Sequence, residues 1–370
     1  MKKITLAILA ILLVFQACGR NRSPQSQLKA YFDYLDKHDL KQANSLWQDP
    51  FVSTDSLIDW HYAWSETKLL IPSKSNRDNI VVVSSDQNQA LLQIESVNDN
   101  NDVIKLNYYA LNTPQGWRLV NPPEVLCAGW DSVVIHELVL KFNPVNKPEP
   151  RYYQALTAMY EYTKTILGSN DNTKIRVFLT DSNEETAKLA CRASPRSFWS
   201  SPLHNTVIFA KSVPDKTTDS DLINARIAAS ALVPIIAYSI GDSDPYDCPL
   251  IRDGLAAYFW GIDGISADLV KARTNEKYDS FPPLDSLLDV RFFKDDEQNN
   301  AAIAATFIDY LIVQYGLDKM KEIYKNSISA KACRDILKGL EDIYTLDSKW
   351  KSHVKKLNLI NLTKIKKQQA

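Results

Sequence analysis

The sequence predicts an α+β protein built from two folded regions, and two observations carry that class. In residues 25–125 apolar side chains first recur at spacings of three and four and then at a spacing of two, so helices precede an antiparallel sheet. In residues 130–355 short strand-like runs alternate with helical patterns before the chain becomes dominated by long apolar helices. Glycine is scarce, 10 in 370 residues, and neither GxGxxG nor GxxxxGK(S/T) occurs, so no phosphate-cradling loop is expected. A net charge of −1 gives no reason to expect nucleic acid as a partner.

The chain opens MKKITLAILAILLVFQACGRN. Lys2 and Lys3 precede an apolar run, Ile4 to Phe15, that is too short to span a bilayer and has the layout of a secretory signal. Ala17-Cys18 at its end resembles the lipobox of bacterial lipoproteins. That resemblance implies a signal peptide over 1–17, lipid (palmitate among its chains) on Cys18, and a tether over 18–24; ordinary signal cleavage is the alternative. Lipid on Cys18 would make the membrane a partner of an otherwise soluble protein. Gly19 and Arg20 bring no inner-membrane retention signal, so the expected place is the cell envelope, at the outer membrane. No later apolar run is expected to cross a membrane.

In the first region Leu28, Tyr31, Phe32 and Leu35 mark a helical face, and Asp39 is placed to cap a second short helix carrying Leu40, Ala43, Leu46 and Trp47. Strands are expected over 79–84, 89–97, 102–111 and 116–120, separated by Asp, Asn and Gly turns. YFDYLDKHDLKQANSLW and GWRLVNP resemble the opening helix pair and closing strand of NTF2-like domains. The resemblance implies a helix-plus-curved-antiparallel-sheet domain over 25–125 with a cone-shaped pocket, for which His61, Tyr62 and Trp64 are the lining candidates; a core or interface role is their plainer reading.

In the second region 132–142 alternates apolar and polar residues and reads as one strand, with His136 and Glu137 as solvated neighbours upon it. A helix is expected over 151–167 with Tyr152, Leu156, Met159, Tyr160, Thr163 and Leu167 inside. A strand over 174–179, a helix capped by Asp181 or Ser182, a strand over 206–210, and helices over 221–240, 249–261 and 299–315 follow. The Lys-rich end, 356–370, reads as a solvated basic tail.

SVVIHELVLKFNP with KIRVFLTDSNEETAKL, then CPLIRDGLAAYFWG, then AAIAATFIDYLIVQYGLDKMKEIYKN resemble, in order, segments of gluzincin-type (peptidase MA-like) metallopeptidase domains. The resemblance implies a mostly helical domain with a small sheet over 130–355, and a zinc site made by HExxH on one helix and an acid on the next. Asp253 stands where that acid would be. The HExxH position falls near Ala229-Ser230-Ala231-Leu232-Val233, and no His occurs between Asn205 and Ser352. His136-Glu137 runs on into Leu138-Val139-Leu140 and lacks the second His. The domain is therefore expected to be a pseudo-peptidase: no catalytic residue, no metal, no cofactor. Arg252, Asp253, Tyr258 and Trp260 are its relic-site binding candidates, with capping, a surface ion pair or core packing as their plainer roles.

The expected function is a non-catalytic lipoprotein that binds a peptide, a glycan or a protein partner. The alternatives are an adaptor acting through the first region, or an atypical hydrolase using Asp253. Cys127, Cys191, Cys248 and Cys333 permit three disulfide pairings, and the spacing does not choose among them.

Overall fold

A computed structural model describes residues 23–49, 58–62, 72–97, 103–192, 198–211, 220–241, 245, 247–262 and 265–369. The segment expected to be a signal peptide, Cys18, the expected tether up to Arg22 and Trp64 lie outside the described residues, as does the side chain of Tyr62. The protein is α+β, with a four-stranded and a five-stranded sheet. It divides into two compact units: the described residues of Met1–Trp130 with those of Ala187–Pro195, and the described residues of Asp131–Thr186 with those of Arg196–Ala370.

The first unit opens with α1 (Pro24–Asp36) and α2 (Leu40–Asn44). Ser23 Oγ accepts from the Ser26 N–H and Asp39 Oδ1 from the Gln42 N–H, satisfying amide donors that a helix start leaves unpaired. After α3 (Lys74–Arg77), strands β1 (Val81–Ser85), β2 (Gln89–Val97), β3 (Val103–Thr113) and β4 (Gly116–Val120) form an antiparallel meander. Gln89 pairs with Leu111 and Val97 with Val103, a register that puts Leu92, Ile94, Leu106 and Tyr108 on one face. That face meets Leu28, Tyr31 and Phe32 of α1, with the Phe32 and Tyr108 rings edge-on at 5.7 Å. Arg77, itself buried, clamps both oxygens of Asp36 at 2.7 and 3.0 Å and ties α3 to α1. The short helix α4 (Pro122–Leu126) follows the meander.

The second unit begins with β5 (Asp131–Ile135) and β6 (Leu138–Phe142), and here the reading of one strand over 132–142 fails. The two are antiparallel partners, Ile135 opposite Leu138, and His136 turns the chain at φ 53°. Nor is Glu137 a solvated neighbour: its carboxylate is mostly buried and meets Lys164 Nζ at 3.3 Å. Helix α5 (Pro150–Leu167) buries the six residues expected of it and ends on Gly168 in the left-handed region at φ 74°. β7 (Ile175–Thr180) is buried along its whole length, as befits a strand covered on both faces. Helix α6 (Asn183–Leu189) is capped by Ser182 Oγ, which accepts from the Glu185 N–H, while Glu185 Oε2 accepts from the Asp181 N–H. Then come β8 (Phe198–Ser201) and β9 (Thr206–Ala210), giving the sheet order β5-β6-β7-β9-β8 with β8 antiparallel at the edge. The sequence reading had no β8.

Helix α7 (Ser220–Gly241) is the unit's apolar axle. By length and composition its Ser220–Ile240 stretch is sufficient to cross a membrane, contrary to the expectation that no later run is. Most of it is buried among α5, the sheet and α8 (Pro249–Trp260), so it reads as the core helix of a folded unit. After α9 (Ala267–Asn275), α10 (Leu284–Leu287) and α11 (Val290–Asp295), the long helix α12 (Glu297–Tyr315) packs along α8. Gly254 makes the close approach feasible, since a Cβ there would sit 2.9 Å from the Ala304 Cβ. Helices α13 (Leu317–Asn326), α14 (Ala330–Leu340) and α15 (Ile343–Gln369) close the unit. Cys248, at the N-terminus of α8, is disulfide-bonded to Cys333 on α14, which selects one bridge where the sequence left three pairings open. The Lys-rich end read as a basic tail continues α15 as helix to Gln369.

Candidate functional site

The α7–α8 junction is where the peptidase resemblance puts its chemistry. Ala229, Ala231, Leu232 and Val233 are each at most 1% exposed, so the face expected to carry ligands is a packed apolar surface. Ser230 points elsewhere, its hydroxyl 3.5 Å from the Gly261 carbonyl at the far end of α8. Asp253, one turn into α8, lies 3.2 Å from Arg252 Nη1, and Arg252 Nη2 reaches the Ser200 hydroxyl on β8 at 3.4 Å. Both side chains of this ion pair are mostly shielded from solvent. A carboxylate held by a guanidinium is a poor candidate for a lone metal ligand.

Tyr258 and Trp260 sit at the other end of α8 and form a separate group. Trp260 Nε1 donates to Thr163 Oγ1 at 2.9 Å, and its ring is edge-on to Tyr162 at 5.7 Å. Lys271 stands over the Tyr258 ring at 4.8 Å and pairs with Asp309 at 3.4 Å, which His353 Nε2 also approaches at 3.3 Å. Burial foremost, and then the negative charge of Asp309, pushes the Tyr258 phenol above its ordinary value. The phenol therefore stays a neutral hydrogen-bond donor. Nothing in this group is arranged as a nucleophile with a base, but a half-buried aromatic wall with a lysine and a phenol suits binding. The four relic-site candidates thus fall into two clusters, Arg252 with Asp253 and Tyr258 with Trp260.

The first unit holds a third cluster. His61 is 5% exposed. Its Nδ1 lies 2.7 Å from Asp59 Oδ1, and the same oxygen accepts the His61 backbone N–H at 2.9 Å. The ring stacks on Tyr108 at 4.3 Å. Asn121 fixes the short stretch before it: its Oδ1 accepts the Trp60 N–H at 3.0 Å and its Nδ2 donates to the Ile58 carbonyl at 2.9 Å. The imidazole also hydrogen-bonds the thiol of Cys191, carried by the Ala187–Pro195 segment of the same unit. Burial acts to lower the imidazole's pKa, but its partners Cys191 and Asp59 outweigh it and lift it to about 10.

Of the candidates for the first unit, His61 is placed in a polar cluster, whereas Trp64 and the Tyr62 side chain lie outside the described residues. Asp59 and Cys191 were not anticipated. Asp59-Trp60-His61 carries a usable signal, an acid two residues before an imidazole; Cys191, 130 residues further on, has none. Among the described residues no group of three or more His, Cys, Asp or Glu is arranged to hold a metal ion. No protein-family model matches the chain, and no curated protein matches it.

Proposed function

We propose that this protein is a lipid-anchored lipoprotein of the cell envelope, held at the outer membrane through Cys18, whose second unit is a peptidase-like scaffold that binds a peptide, a glycan or a protein partner without hydrolysing it. The observation that carries the reading is the α7–α8 junction. At the positions expected to present imidazoles, apolar side chains are interdigitated in the core, and the one acid in place is paired with Arg252. Water cannot be polarised there without ligands to hold a cation. The Cys248–Cys333 bridge supports an exported location, since disulfides persist in oxidising compartments. The aromatic wall at Tyr258 and Trp260 supports binding.

Metal analysis of the purified chain tests the central claim. Zinc far below one equivalent, with no proteolysis of unfolded casein, is the expected result; one equivalent of zinc with proteolysis overturns it. Labelling cells with an alkyne palmitate tests the anchor: label is expected on the native chain and lost in Cys18→Ser. A second reading, an adaptor acting through the first unit, is favoured by β1, an edge strand on which Val81 and Val83 are both more than half exposed. Loss of a co-purifying partner in Val81→Lys/Val83→Lys, but not in Trp260→Ala, would select it.

A further inference from the structure

The Cys191–His61–Asp59 cluster is unused by the binding reading and does not depend on it. Its order is carboxylate, imidazole, thiol. Asp59 holds the proton of Nδ1, so Nε2 is the nitrogen that faces Cys191. Asp59 is fully buried, and its second oxygen has no hydrogen-bond partner among the described residues, so its charge is directed to the imidazole. Tyr108, stacked on the ring, adds a π face that favours the imidazolium. Tyr109 lies near the same thiol: burial first, and then Cys191, raises its phenol.

The backbone adds an independent observation. Cys191 closes α6: its N–H donates to the Lys188 carbonyl at 3.3 Å and the Arg192 N–H to the Ala187 carbonyl at 2.7 Å. This is the Schellman arrangement, whose left-handed residue is usually glycine. Here it is a cysteine at φ 56°, a conformation that costs a side chain about 1 kcal/mol or more. A cysteine kept where glycine would fit without strain points to a use for the sulfur.

We infer that Cys191, His61 and Asp59 form a nucleophilic thiol site whose reaction is exchange with disulfides. The choice of electrophile follows from exposure. Cys191 is half-buried, while His61 beside it is 5% exposed. In acyl transfer the imidazole must also protonate the leaving group, which a buried imidazole cannot do. Disulfide exchange asks only that the sulfur be accessible. His61 already carries its own proton and stands as the imidazolium beside the sulfur, so the Cys191 proton goes to solvent as the sulfur attacks one sulfur of the incoming disulfide. The old S–S bond breaks as the new one forms, and the second sulfur leaves as a thiolate that takes a proton from solvent. One disulfide replaces another, so no external oxidant is needed. The product is a covalent mixed disulfide between Cys191 and a small disulfide or a disulfide-bearing polypeptide.

The test uses the full chain carrying Cys18→Ser, so that Cys127 and Cys191 are the cysteines outside the Cys248–Cys333 bridge. Reaction with 4,4′-dithiodipyridine at neutral pH is followed by stopped flow, and the labelled cysteine is located by mass spectrometry. A fast phase at Cys191 is expected, lost in Cys191→Ser and slowed about tenfold or more in His61→Gln and Asp59→Asn. Should those variants fail to fold, the wild-type fold itself is compared with the urea-unfolded chain: Cys191 is expected to react faster when folded. Oxidised glutathione and a disulfide-linked peptide then separate the two sources by which forms the adduct faster. Cys191 reacting more slowly folded than unfolded, a fast phase surviving Cys191→Ser, or no adduct with either disulfide would overturn the proposal.

Discussion

The two units handle buried chemistry in opposite ways. Within the first, a carboxylate and an imidazole are buried beside Tyr108 with a half-buried thiol against them, and their mutual pairing offsets the cost of burial. Within the second, the helix pair whose sequence resembles that of a gluzincin is packed as an apolar core, and Asp253 is paired with its neighbour Arg252. On the proposed reading, likeness to a catalytic family falls on the unit that lacks the family's ligands, and the proposed thiol site lies in the unit whose likeness implies only a pocket. A scaffold can keep a packing pattern without ligands, because Ala, Leu and Val can fill the space that imidazoles would take.

The largest effect expected from challenging this contrast comes from restoring ligands. Ala229→His with Val233→His puts two imidazoles on one face of α7, four residues apart. Both sites are at most 1% exposed, so the new rings must overpack the core and bury polar nitrogens without partners. A loss of about 3–6 kcal/mol in urea unfolding is expected, enough to unfold a marginal unit. A folded double variant that takes up one zinc would show instead that a metal cavity persists between α7 and α8.

Next in size is the pH dependence of the first unit. His61 has its pKa lifted to about 10 in the fold, above the ordinary imidazole value near 6.5. The folded chain thus holds this proton more tightly than the unfolded chain. The stability that results is complete below about pH 6.5 and is lost as pH rises toward 10. Asp59 and Cys191 are the titratable groups in contact, and Tyr108 covers the ring. Denaturation of the first unit is expected to become easier by on the order of a few kcal/mol between about pH 6 and pH 9.5, and His61→Gln should flatten that slope. An unchanged slope in His61→Gln would assign the proton elsewhere.

How much of this was legible follows the range of the interactions. Periodicity and capping are local, so the inner face of Pro150–Leu167, the Asp39 cap and the bounds of Gln89–Val97 could all be read directly. The hairpin at His136 could not, because alternation continues across the turn and the left-handed position is filled by His where Gly or Asn is usual. β8 was missed because Phe198–Ser201 is four residues long and its last three are all buried, which leaves no period of two. Of the candidate sites, the lack of histidine between Asn205 and Ser352 could be read from the sequence itself. The Cys191 partner of His61 could not, since 130 residues separate them and only the fold brings them together.

Gly254→Ala probes the α8–α12 contact more gently. The added methyl would stand 2.9 Å from Ala304 Cβ and 3.2 Å from Ile308 Cγ1, and neither neighbour is a flexible chain end that can swing aside. A loss of about 1–3 kcal/mol is expected, with no change in metal content. A neutral result would mean that the helices have room to separate, and with it room for a cavity.

The smallest expected effect is the most discriminating. Asp253→Ala removes the one acid at the position where the peptidase resemblance calls for a ligand. In the packing described here it removes half of an adjacent ion pair whose members are 12% and 22% exposed, while Arg252 keeps the Ser200 hydroxyl as an acceptor. Partly shielded pairs of this kind contribute about 1 kcal/mol, so Tm should fall by only a few degrees and the binding proposed at Tyr258 and Trp260, on the far end of α8, should be untouched. A metal ligand behaves otherwise: its loss would release the ion and, with the ion, the stability that binding supplies. A large drop in Tm that zinc chelation of the wild type reproduces would therefore overturn the contrast between the two units, whereas a small drop indifferent to chelator leaves Asp253 as a structural partner of Arg252.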